Sequence, residues 1–465
     1  MLAVLAVKRV AGSDESAWCT CSGDGVEVDD RTANACDAHF LCTAAGGNVS
    51  GDWRGSTILA PFGVRNFRFQ WPGDLMTSLA FEMETLILGW YVLVESGSVQ
   101  WLTAFGALMF HGTLLSPMLG VIGDRIGHRN LLCCMRAAYL LFGTMLMLSA
   151  FSGFLSVGLV LGIAALSGAV RPSDLAVRSA TVAASVSTPM LVGALGISRC
   201  TSDMARICGA LSGAGLLATL GMGPAYCVIA GCYALGLLFT MLVRPVPPAP
   251  SPATMQPSPW RDLLDGLAYV WSTPRLLAAM WLAFLMNMTT LPMSGGLLPF
   301  VARGVYGTDQ TGLGYLSASF AFGALLGSIA LSVAGARVKP ARMMMITALL
   351  WCAVLVVFAV TKTAAIGSLL LIAAGLLQSL SMVTMAVMLL KTSEERLRGR
   401  VMGVRMLAIF SQTFGLLVAG LMIERYGFQP TALLYATGAL ACTLAIALYW
   451  QRDLWPIGAR ANQGS

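Results

Sequence analysis

Apolar stretches of membrane-spanning length recur along this chain from about residue 70 onward. A helix needs about 20 apolar residues to cross the hydrocarbon core of a bilayer, and twelve such stretches can be delimited. They cover residues 71–94, 98–121, 131–151, 154–174, 191–220, 224–243, 276–298, 312–333, 343–361, 364–390, 404–424 and 430–449. The sequence therefore predicts an all-α membrane protein with twelve transmembrane helices. Charged residues interrupt the fourth and fifth of these spans.

The composition agrees with lipid as the main solvent. Hydrophobic residues make up 57% of the 465 residues and charged residues only 11%, whereas soluble domains carry about 25% charged residues. This balance excludes a cytosolic enzyme and a disordered regulator. The chain also has no Gly-x-x-x-x-Gly-Lys-Ser phosphate loop, no helical His-Glu-x-x-His and no paired His and Cys ligands. We therefore expect no catalysis, no ATP as energy source, and neither a metal nor another cofactor.

The predicted spans divide six plus six around a linker. Residues 244–252 are rich in proline and cannot be helical, whereas residues 260–271 have the pattern of an amphipathic helix at the membrane surface. Residues 116–126 match residues 328–338 at a constant offset of 212, and repeated six-helix halves are a common transporter design. The predicted organisation is a half at 61–243, a linker at 244–275, a half at 276–450 and a tail at 451–465.

Residues 1–60 differ in composition from the rest of the chain. They hold eight of the 22 acidic residues, and their first seven residues are apolar. Basic residues follow this apolar run instead of preceding it, unlike in a signal peptide. Four of the twelve cysteines lie here, at spacings that fit neither a Cys-x-x-Cys pair nor a zinc finger. We expect a disordered segment; the alternative hypothesis is a start codon assigned too far upstream.

The distribution of basic residues predicts the orientation in the membrane. If the N-terminus is inside, the cytoplasmic segments and adjacent helix ends hold 26 of the 29 lysines and arginines. The outer loops hold only Arg303, Lys362 and Arg425. Basic residues favour the cytoplasmic side, so we expect both termini in the cytoplasm. This bias also accounts for the net charge of +7 without a nucleic-acid partner.

The loop after the second span holds a motif of glycines and charged residues. Ten residues ending at Arg129 read Gly-Val-Ile-Gly-Asp-Arg-Ile-Gly-His-Arg. Gly120 lets the helix end approach a neighbour, and Gly127 permits a tight turn. Asp124 can bind the N-terminus of a facing helix, whereas Arg125 and Arg129 stay at the anionic inner leaflet. The motif resembles the signature of the major facilitator superfamily between its second and third helices.

Three further segments resemble the branch of this superfamily that exports drugs and siderophores, which includes macrolide efflux proteins and the enterobactin exporter. They are Arg-Asn-Phe-Arg at 65–68, Gly-Trp at 89–90 and Arg-Gly-Arg-Val-Met-Gly at 398–403, and the similarity runs from about 61 to 450. The resemblance implies a secondary transporter of the bacterial inner membrane that exports small amphipathic molecules in exchange for protons, by alternating access.

The chain departs from this branch at two places. Exporters often have Gly-Pro followed by Gly-Gly in the fifth helix, whereas residues 209–213 read Gly-Ala-Leu-Ser-Gly. In the second half, Ala336 stands where the first half has Asp124. The missing proline weakens the assignment as an antiporter, and the alanine is common in the superfamily.

Carboxylates in the first span are the candidates for proton coupling. An ionisable group at mid-membrane costs about 2.5–3.5 kcal/mol and marks a functional candidate. Glu82 and Glu84 lie near the centre of this span, and Asp74 lies nearer the inside. Because Glu82 and Glu84 are about 200° apart around the helix axis, at most one is expected to face a central cavity. The alternative is that they pair with neighbouring helices.

A second group of charges lies in the fourth and fifth spans. Residues at offsets of 4 and 7 share a helix face, and this spacing predicts one charged stripe in the fifth span with charges of the fourth span opposite it. The group consists of Arg171, Asp174, Arg199, Asp203 and Arg206. We favour an ion-pair lock that joins these two helices to the Asp124 loop; the alternatives are binding of an anionic substrate and proton relay.

Three uncharged or weakly basic side chains are candidates for the substrate cavity. His111 lies inside the second span, Asn287 in the seventh beside the helix-breaking Pro292, and Gln378 in the tenth. A histidine at mid-helix suits a response to pH, and the two amides can donate hydrogen bonds to a substrate. The simpler interpretation for each is packing or an interhelical hydrogen bond.

The residues leave three other functions open. An uptake permease, which carries substrate and proton in the same direction, uses the same carboxylates. A receptor or scaffold on this fold would not need them, and a membrane-embedded enzyme lacks a visible nucleophile–base pair. The expected partners are a small-molecule substrate, protons and the lipid bilayer, with the protein acting as a monomer.

Overall fold

The computed structural model describes residues 60–115, 118, 123, 126–245, 259–334 and 339–454, all within the compact unit Arg54–Ser465. Every regular element in these ranges is a helix. The predicted N-terminal segment lies outside the described residues except for Ala60, and the predicted tail lies outside them beyond Leu454. Residues 246–258 of the linker, which include most of its proline-rich stretch, also lie outside them.

The main helices are labelled α1 to α12 in chain order. They are α1 (Arg65–Ser96), α2 (Val99–Phe110), α3 (His128–Ser152), α4 (Val157–Ser185), α5 (Thr188–Leu220), α6 (Met222–Met241), α7 (Pro274–Leu291), α8 (Gln310–Ala334), α9 (Pro340–Val360), α10 (Ala364–Thr392), α11 (Arg398–Tyr426) and α12 (Phe428–Tyr449). A shorter helix before α7, Pro259–Ser272, is called the linker helix. Single helical turns occupy Ala60–Gly63, His111–Leu115, Glu395–Leu397 and Gln451–Leu454.

The protein is a multi-pass membrane protein. Ten of the helices described here are long and apolar enough to cross a bilayer, against twelve spans predicted from the sequence. The two that are not among the ten are α2 and α5. The described part of α2 has only 12 residues, and α5 carries charged residues near its middle.

The region after α7 stays helical where the sequence predicts a break. Pro292 begins a π turn, Pro292–Gly296, which leads into a short α-helical turn, Leu298–Phe300, and a second π turn, Val301–Val305. A proline has no N–H to donate, but its carbonyl oxygen accepts a hydrogen bond of 3.0 Å from the Leu297 N–H. The wider turn therefore continues the helix in place of a break.

Single glycines make two of the tightest helix connections. Gly221 joins α5 to α6 with φ +80° and ψ −174°, and Gly427 joins α11 to α12 with φ +86° and ψ 169°. This region of backbone conformation is open almost only to glycine. The same conformation thus recurs at corresponding places in the first six and the last six helices.

The packing order of the first six helices is repeated by the last six. The pairs α1–α5, α1–α6, α2–α4, α3–α4 and α3–α6 have counterparts in α7–α11, α7–α12, α8–α10, α9–α10 and α9–α12. The most extensive contacts between the two sets are α2–α11 and α5–α8. The first set packs through buried residues such as Met83 and Tyr226, and the second through Trp351.

Small residues allow the closest of these contacts. Gly209 and Gly213 of α5 face α1, where a Cβ at Gly209 would lie 2.7 Å from the Cβ of Glu82. Gly323 and Gly327 of α8 face α10, and a Cβ at Gly323 would overlap the carbonyl oxygen of Ile372. Glycines four residues apart permit such approach between membrane helices.

Candidate functional site

Asp74 of α1 lies in a buried network of charges. Its carboxylate forms an ion pair with Arg136 of α3, whose side chain has no exposed surface, and lies 3.8 Å from Arg178 of α4. Arg178 also pairs with Asp174 one turn earlier at 2.5 Å and donates a 2.6 Å hydrogen bond to the Ser78 hydroxyl. Asp74 therefore joins α1 to α3 and α4 through fixed partners.

Arg136 extends this network to α6. Its guanidinium donates a 3.1 Å hydrogen bond to the Gly236 carbonyl oxygen and another to the Thr240 hydroxyl. A buried ion pair must recover a large desolvation cost through good geometry and extra hydrogen bonds, and both are present. The network thus fastens four helices of the first set together.

Glu84 lies about three turns further along α1, in a separate buried cluster. The Tyr233 hydroxyl of α6 donates a 2.6 Å hydrogen bond to Glu84 Oε2. The positive charge of Arg171 in α4 interacts with Glu84. Arg171 itself lies over the Phe81 ring and donates a 3.1 Å hydrogen bond to the Phe81 carbonyl oxygen. Glu84 therefore has both a hydrogen-bond donor and a compensating charge.

Glu82 is placed differently from the other two carboxylates of α1. It is half-buried beside Gly209 of α5, and its carboxylate makes no hydrogen bond or ion pair with any residue that the structure describes. Its charge interacts at longer range with Arg171. Glu82 and Glu84 thus face different neighbours, as their spacing predicts.

The charged stripe of α5 faces the second set of helices. Asp203 is buried and accepts a 3.1 Å hydrogen bond from the Ser328 hydroxyl of α8. The Arg206 guanidinium lies 5.7 Å from the centre of the Phe320 ring, also in α8. Arg199 pairs with Asp203 at 3.5 Å while half of its side chain stays exposed.

The structure divides the five charges that the sequence groups together. Arg199, Asp203 and Arg206 share one face of α5, as predicted, and contact α8. Arg171 and Asp174 instead contact α1 and the charges of α4 itself. The separation arises because Arg178, one turn after Asp174, supplies the nearer partner. The proposed joining of α4 and α5 to Asp124 lies outside the described residues.

None of the three candidates for the substrate cavity has a side-chain hydrogen bond to another helix among the described residues. His111 Nδ1 lies 2.7 Å from the Leu108 carbonyl oxygen, and Asn287 donates a 2.8 Å hydrogen bond to the Ala283 carbonyl oxygen one turn earlier. Gln378 has a buried Oε1 atom with no hydrogen-bond partner in the described part of the chain. Asn287 and His111 are therefore engaged within their own helical segments, whereas Gln378 keeps a free acceptor.

Only part of the motif between α2 and α3 is described. Gly120, Asp124 and Arg125 lie outside the described residues. Gly127 has φ +87°, which a residue with a side chain rarely adopts. Arg129 donates hydrogen bonds of 2.6 and 3.2 Å to the carbonyl oxygens of Met241 and Val243 at the end of α6. A basic side chain is suited to these unpaired carbonyl groups at a helix C-terminus.

Several residues of the site were not selected in the sequence. Arg136 lies inside the third predicted span, so charge within an apolar stretch was an available signal for it. Tyr233 and Ser328 give no such signal, because hydroxyl groups are common in membrane helices. Within the described ranges, no group of three or more His, Cys, Asp or Glu side chains could hold a metal ion.

Solved structures with the same fold include several transporters. The nucleoside transporter NupG has a TM-score of 0.66 at 15% identity, covering 83% of this chain and 99% of that one. A POT family transporter in complex with 5-aminolevulinic acid gives 0.66 at 14% identity, with 85% and 98% covered. The human organic anion transporter MFSD10 (TETRAN) gives 0.60 at 16% identity, with 82% and 98% covered. At these identities the likeness shows the fold alone.

Sequence comparison identifies the family. No curated protein sequence matches the chain significantly. A family model described as transmembrane secretion effector matches residues 56–459, which include all twelve predicted spans. The match confirms the resemblance to the major facilitator superfamily, and the family description agrees with its exporting branch. The protein therefore belongs to the transmembrane secretion effector family of major facilitator transporters.

Proposed function

We propose that this transporter exports small amphipathic molecules in exchange for protons. In this proposal the chain crosses a bacterial inner membrane twelve times, with both termini in the cytoplasm. Two six-helix halves, residues 61–243 and 276–450, are joined by the linker at 244–275. They rock about a central site so that it opens to one side of the membrane at a time.

The repeated packing order supports two rocking halves. Each set of six helices has its own buried contacts, and the most extensive contacts between the sets are α2–α11 and α5–α8. Rigid bodies that meet along few helices can tilt against one another without losing their internal packing. The lysine and arginine distribution supports the orientation with both termini inside.

The proposal of proton coupling rests on the surroundings of the Glu82 carboxylate. Asp74 and Glu84 have fixed donors or ion pairs, whereas the Glu82 carboxylate has none among the described residues. A carboxyl group without a fixed partner in an apolar helix can gain or lose a proton as its surroundings change. We therefore assign proton transfer to Glu82 first, with Glu84 and Asp74 as structural charges.

The family description supports export. Its members are described as secretion effectors, and the sequence resembles exporters of drugs and siderophores. Solved structures of the same fold include transporters named for nucleosides and for organic anions. An amphipathic small molecule is consistent with a site formed by apolar helices that carry a few charges.

Proteoliposomes that contain purified protein and a trapped pH-sensitive dye test this proposal. Dyes, macrolides and a catecholate siderophore are added in turn, and substrate-dependent proton movement is recorded with its direction. We expect protons to move opposite to the substrate. Glu82→Gln should abolish this movement, since glutamine cannot exchange a proton, whereas Glu95→Gln, an exposed position on the same helix, should retain it.

Each other outcome points to a different function. Movement of substrate and proton in the same direction would contradict export and favour the uptake permease. Full proton movement in Glu82→Gln would contradict the assigned carrier. If no compound moves protons, the proposed coupling fails, and unchanged cellular activity of a variant with Glu82, Glu84 and Asp124 all neutralised would favour a receptor or scaffold.

A further inference from the structure

The linker helix packs against the helix bundle along one face. Val270 is buried in the main core, and Leu263 and Tyr269 pack against that core. Gly266 lies so close to the start of α11 that an added Cβ would be 3.0 Å from the Cβ of Arg400. This face therefore fixes the linker helix to the rest of the protein.

Polar contacts fix the linker helix to the turn between α10 and α11. The Arg400 guanidinium donates a 3.2 Å hydrogen bond to Asp265 Oδ2, and the Tyr269 hydroxyl accepts a 3.3 Å hydrogen bond from the Glu394 backbone N–H. A single residue, Thr273, separates the linker helix from α7. The linker helix therefore lies at the end of the bundle where α10 ends and where α7 and α11 begin.

The opposite face of the linker helix is exposed and apolar. Leu264, Leu267 and Trp271 are 64%, 41% and 65% exposed, and Ala268 is exposed as well. Residues three, four and seven positions apart lie on the same side of a helix, so these four side chains form one surface, which we call the apolar stripe. The bundle covers the other face and leaves the apolar stripe uncovered.

Lipid is the solvent that suits the apolar stripe. The span that starts with α7 follows the linker helix directly and is long and apolar enough to cross a bilayer, so the linker helix lies at the level of the membrane surface. A helix of this kind buries its apolar face about 5–10 Å into the boundary between headgroups and acyl chains. Tryptophan is enriched at the same depth, and Trp271 lies at the end of the linker helix that leads into α7.

Basic residues flank the apolar stripe. Arg261 lies one turn before the stripe on the same side of the helix, and Arg275 follows it in the first turn of α7; both are exposed. Arg275 Nε donates a 2.9 Å hydrogen bond to the Asp453 carbonyl oxygen. Residues 259–275 and 391–400 together hold six basic and four acidic residues. Because basic residues beside a membrane attract anionic lipids, this excess of positive charge favours an anionic headgroup.

We infer that the linker helix binds anionic phospholipid of the bilayer. The apolar stripe enters the boundary of the acyl chains, and Arg261 and Arg275 donate hydrogen bonds to phosphate groups, which guanidinium groups match well. Because the linker helix is fixed to the start of α11, bound lipid also stabilises the second set of helices. Placement in the inner leaflet rests on the proposed orientation of the chain, whereas the binding itself does not.

Lipids that share their acyl chains but differ in headgroup charge test the inference. The purified full-length protein in neutral detergent is titrated with dioleoylphosphatidylglycerol or with dioleoylphosphatidylcholine, and its unfolding temperature is recorded. We expect phosphatidylglycerol to raise this temperature at a concentration about tenfold lower than phosphatidylcholine, since each basic residue near the headgroups adds to the attraction. Glycerol 1-phosphate, which carries the charge without acyl chains, should have no effect at the same concentrations.

A double variant with a matched control locates the binding. Arg261→Gln with Arg275→Gln should need about tenfold more phosphatidylglycerol for the same rise in unfolding temperature. Lys339→Gln with Arg342→Gln removes the same charge at the start of α9, and it should respond as the wild type does. Comparison of these two variants separates local binding from a general effect of net charge.

A second double variant tests the apolar stripe. Leu264→Ser with Trp271→Ser changes only exposed side chains, so it should weaken the response to phosphatidylglycerol and leave the unfolding temperature without lipid unchanged. Four outcomes would overturn the inference: equal responses of the wild type to the two lipids, an equal effect of glycerol 1-phosphate, an unchanged response in both linker-helix variants, or an equal loss of response in the α9 control.

These outcomes are independent of the proposed function, because titration in detergent needs neither a substrate nor a proton gradient. A preference for phosphatidylglycerol in a protein that moves no protons would contradict only the proposed exchange. Conversely, proton exchange by a protein that shows no preference between the two lipids would contradict only the lipid site.

Discussion

The guanidinium of Arg136 has no exposed surface and lies among one carboxylate, one hydroxyl group and one carbonyl oxygen, those of Asp74, Thr240 and Gly236. At this scale a single charge is tolerated in the apolar interior because an opposite charge and two further hydrogen-bond acceptors surround its terminal nitrogens, although its Nε has no partner among the described residues. Removing one partner leaves the other charge buried and uncompensated. Glu82 lacks such partners, which is why we assign it a role in transport.

Removal of the Arg136 charge should destabilise the protein. We expect Arg136→Gln to lose about 3–5 kcal/mol of stability, since it leaves Asp74 buried without its main partner. Thermal unfolding of the purified protein in detergent measures the loss. The double variant Asp74→Asn with Arg136→Gln should recover part of it, because no unpaired charge remains. Equal unfolding temperatures for the wild type and Arg136→Gln would contradict this account of the network.

The sequence could predict which charges are intramembrane, but not their partners. Glu82 and Glu84 were expected to face different sides of α1 from their spacing alone, and the structure agrees. The interhelical partner of Asp203 could not be predicted, because Ser328 lies 125 residues away in another helix. Pairing across helices depends on how the helices pack, and the residue pattern of a single sequence does not show which helices are neighbours.

Gly221 and Gly427 set the geometry of two helical hairpins. Each is the only residue between two long helices, and each has a backbone conformation that is strained for any residue with a side chain. Helix ends at such glycines can be predicted from the sequence to within a few residues, because the apolar stretches end near them. The π turns after α7 could not be predicted in this way. A proline such as Pro292 usually marks the end of a helix, whereas here a wider turn accommodates it.

Substitution at Gly221 should therefore cost stability. We expect Gly221→Ala to lose about 1–3 kcal/mol, the usual cost of a strained backbone conformation. Gly231→Ala is the matched control, because Gly231 lies within α6 and a Cβ there would meet no atom within 4 Å. Alanine at that position should be neutral or stabilising by about 0.5–1 kcal/mol. Similar unfolding temperatures for the two variants would show that the Gly221 conformation imposes no strain.

In the whole molecule, the two sets of six helices meet closely at one end. Gln100 at the start of α2 donates a hydrogen bond to Glu424 near the end of α11. In the same contact a Cβ at Gly420 would overlap the Thr103 hydroxyl. The Arg303 guanidinium also donates a 3.4 Å hydrogen bond to the Leu93 carbonyl oxygen. In the proposed orientation this end faces outward, so it must separate before substrate can leave.

Cross-linking this end tests most directly whether the two sets move against each other. The variant Gln100→Cys with Glu424→Cys is reconstituted in the pH-dye proteoliposomes and joined by a short reducible thiol reagent, with the cross-link verified by mass spectrometry of the digested protein. The two variants that carry only one of the introduced cysteines serve as controls for reaction of the native cysteines. We predict that substrate-driven proton movement stops in the cross-linked protein and returns after reduction. Undiminished movement in the fully cross-linked protein would contradict alternating access by the two halves.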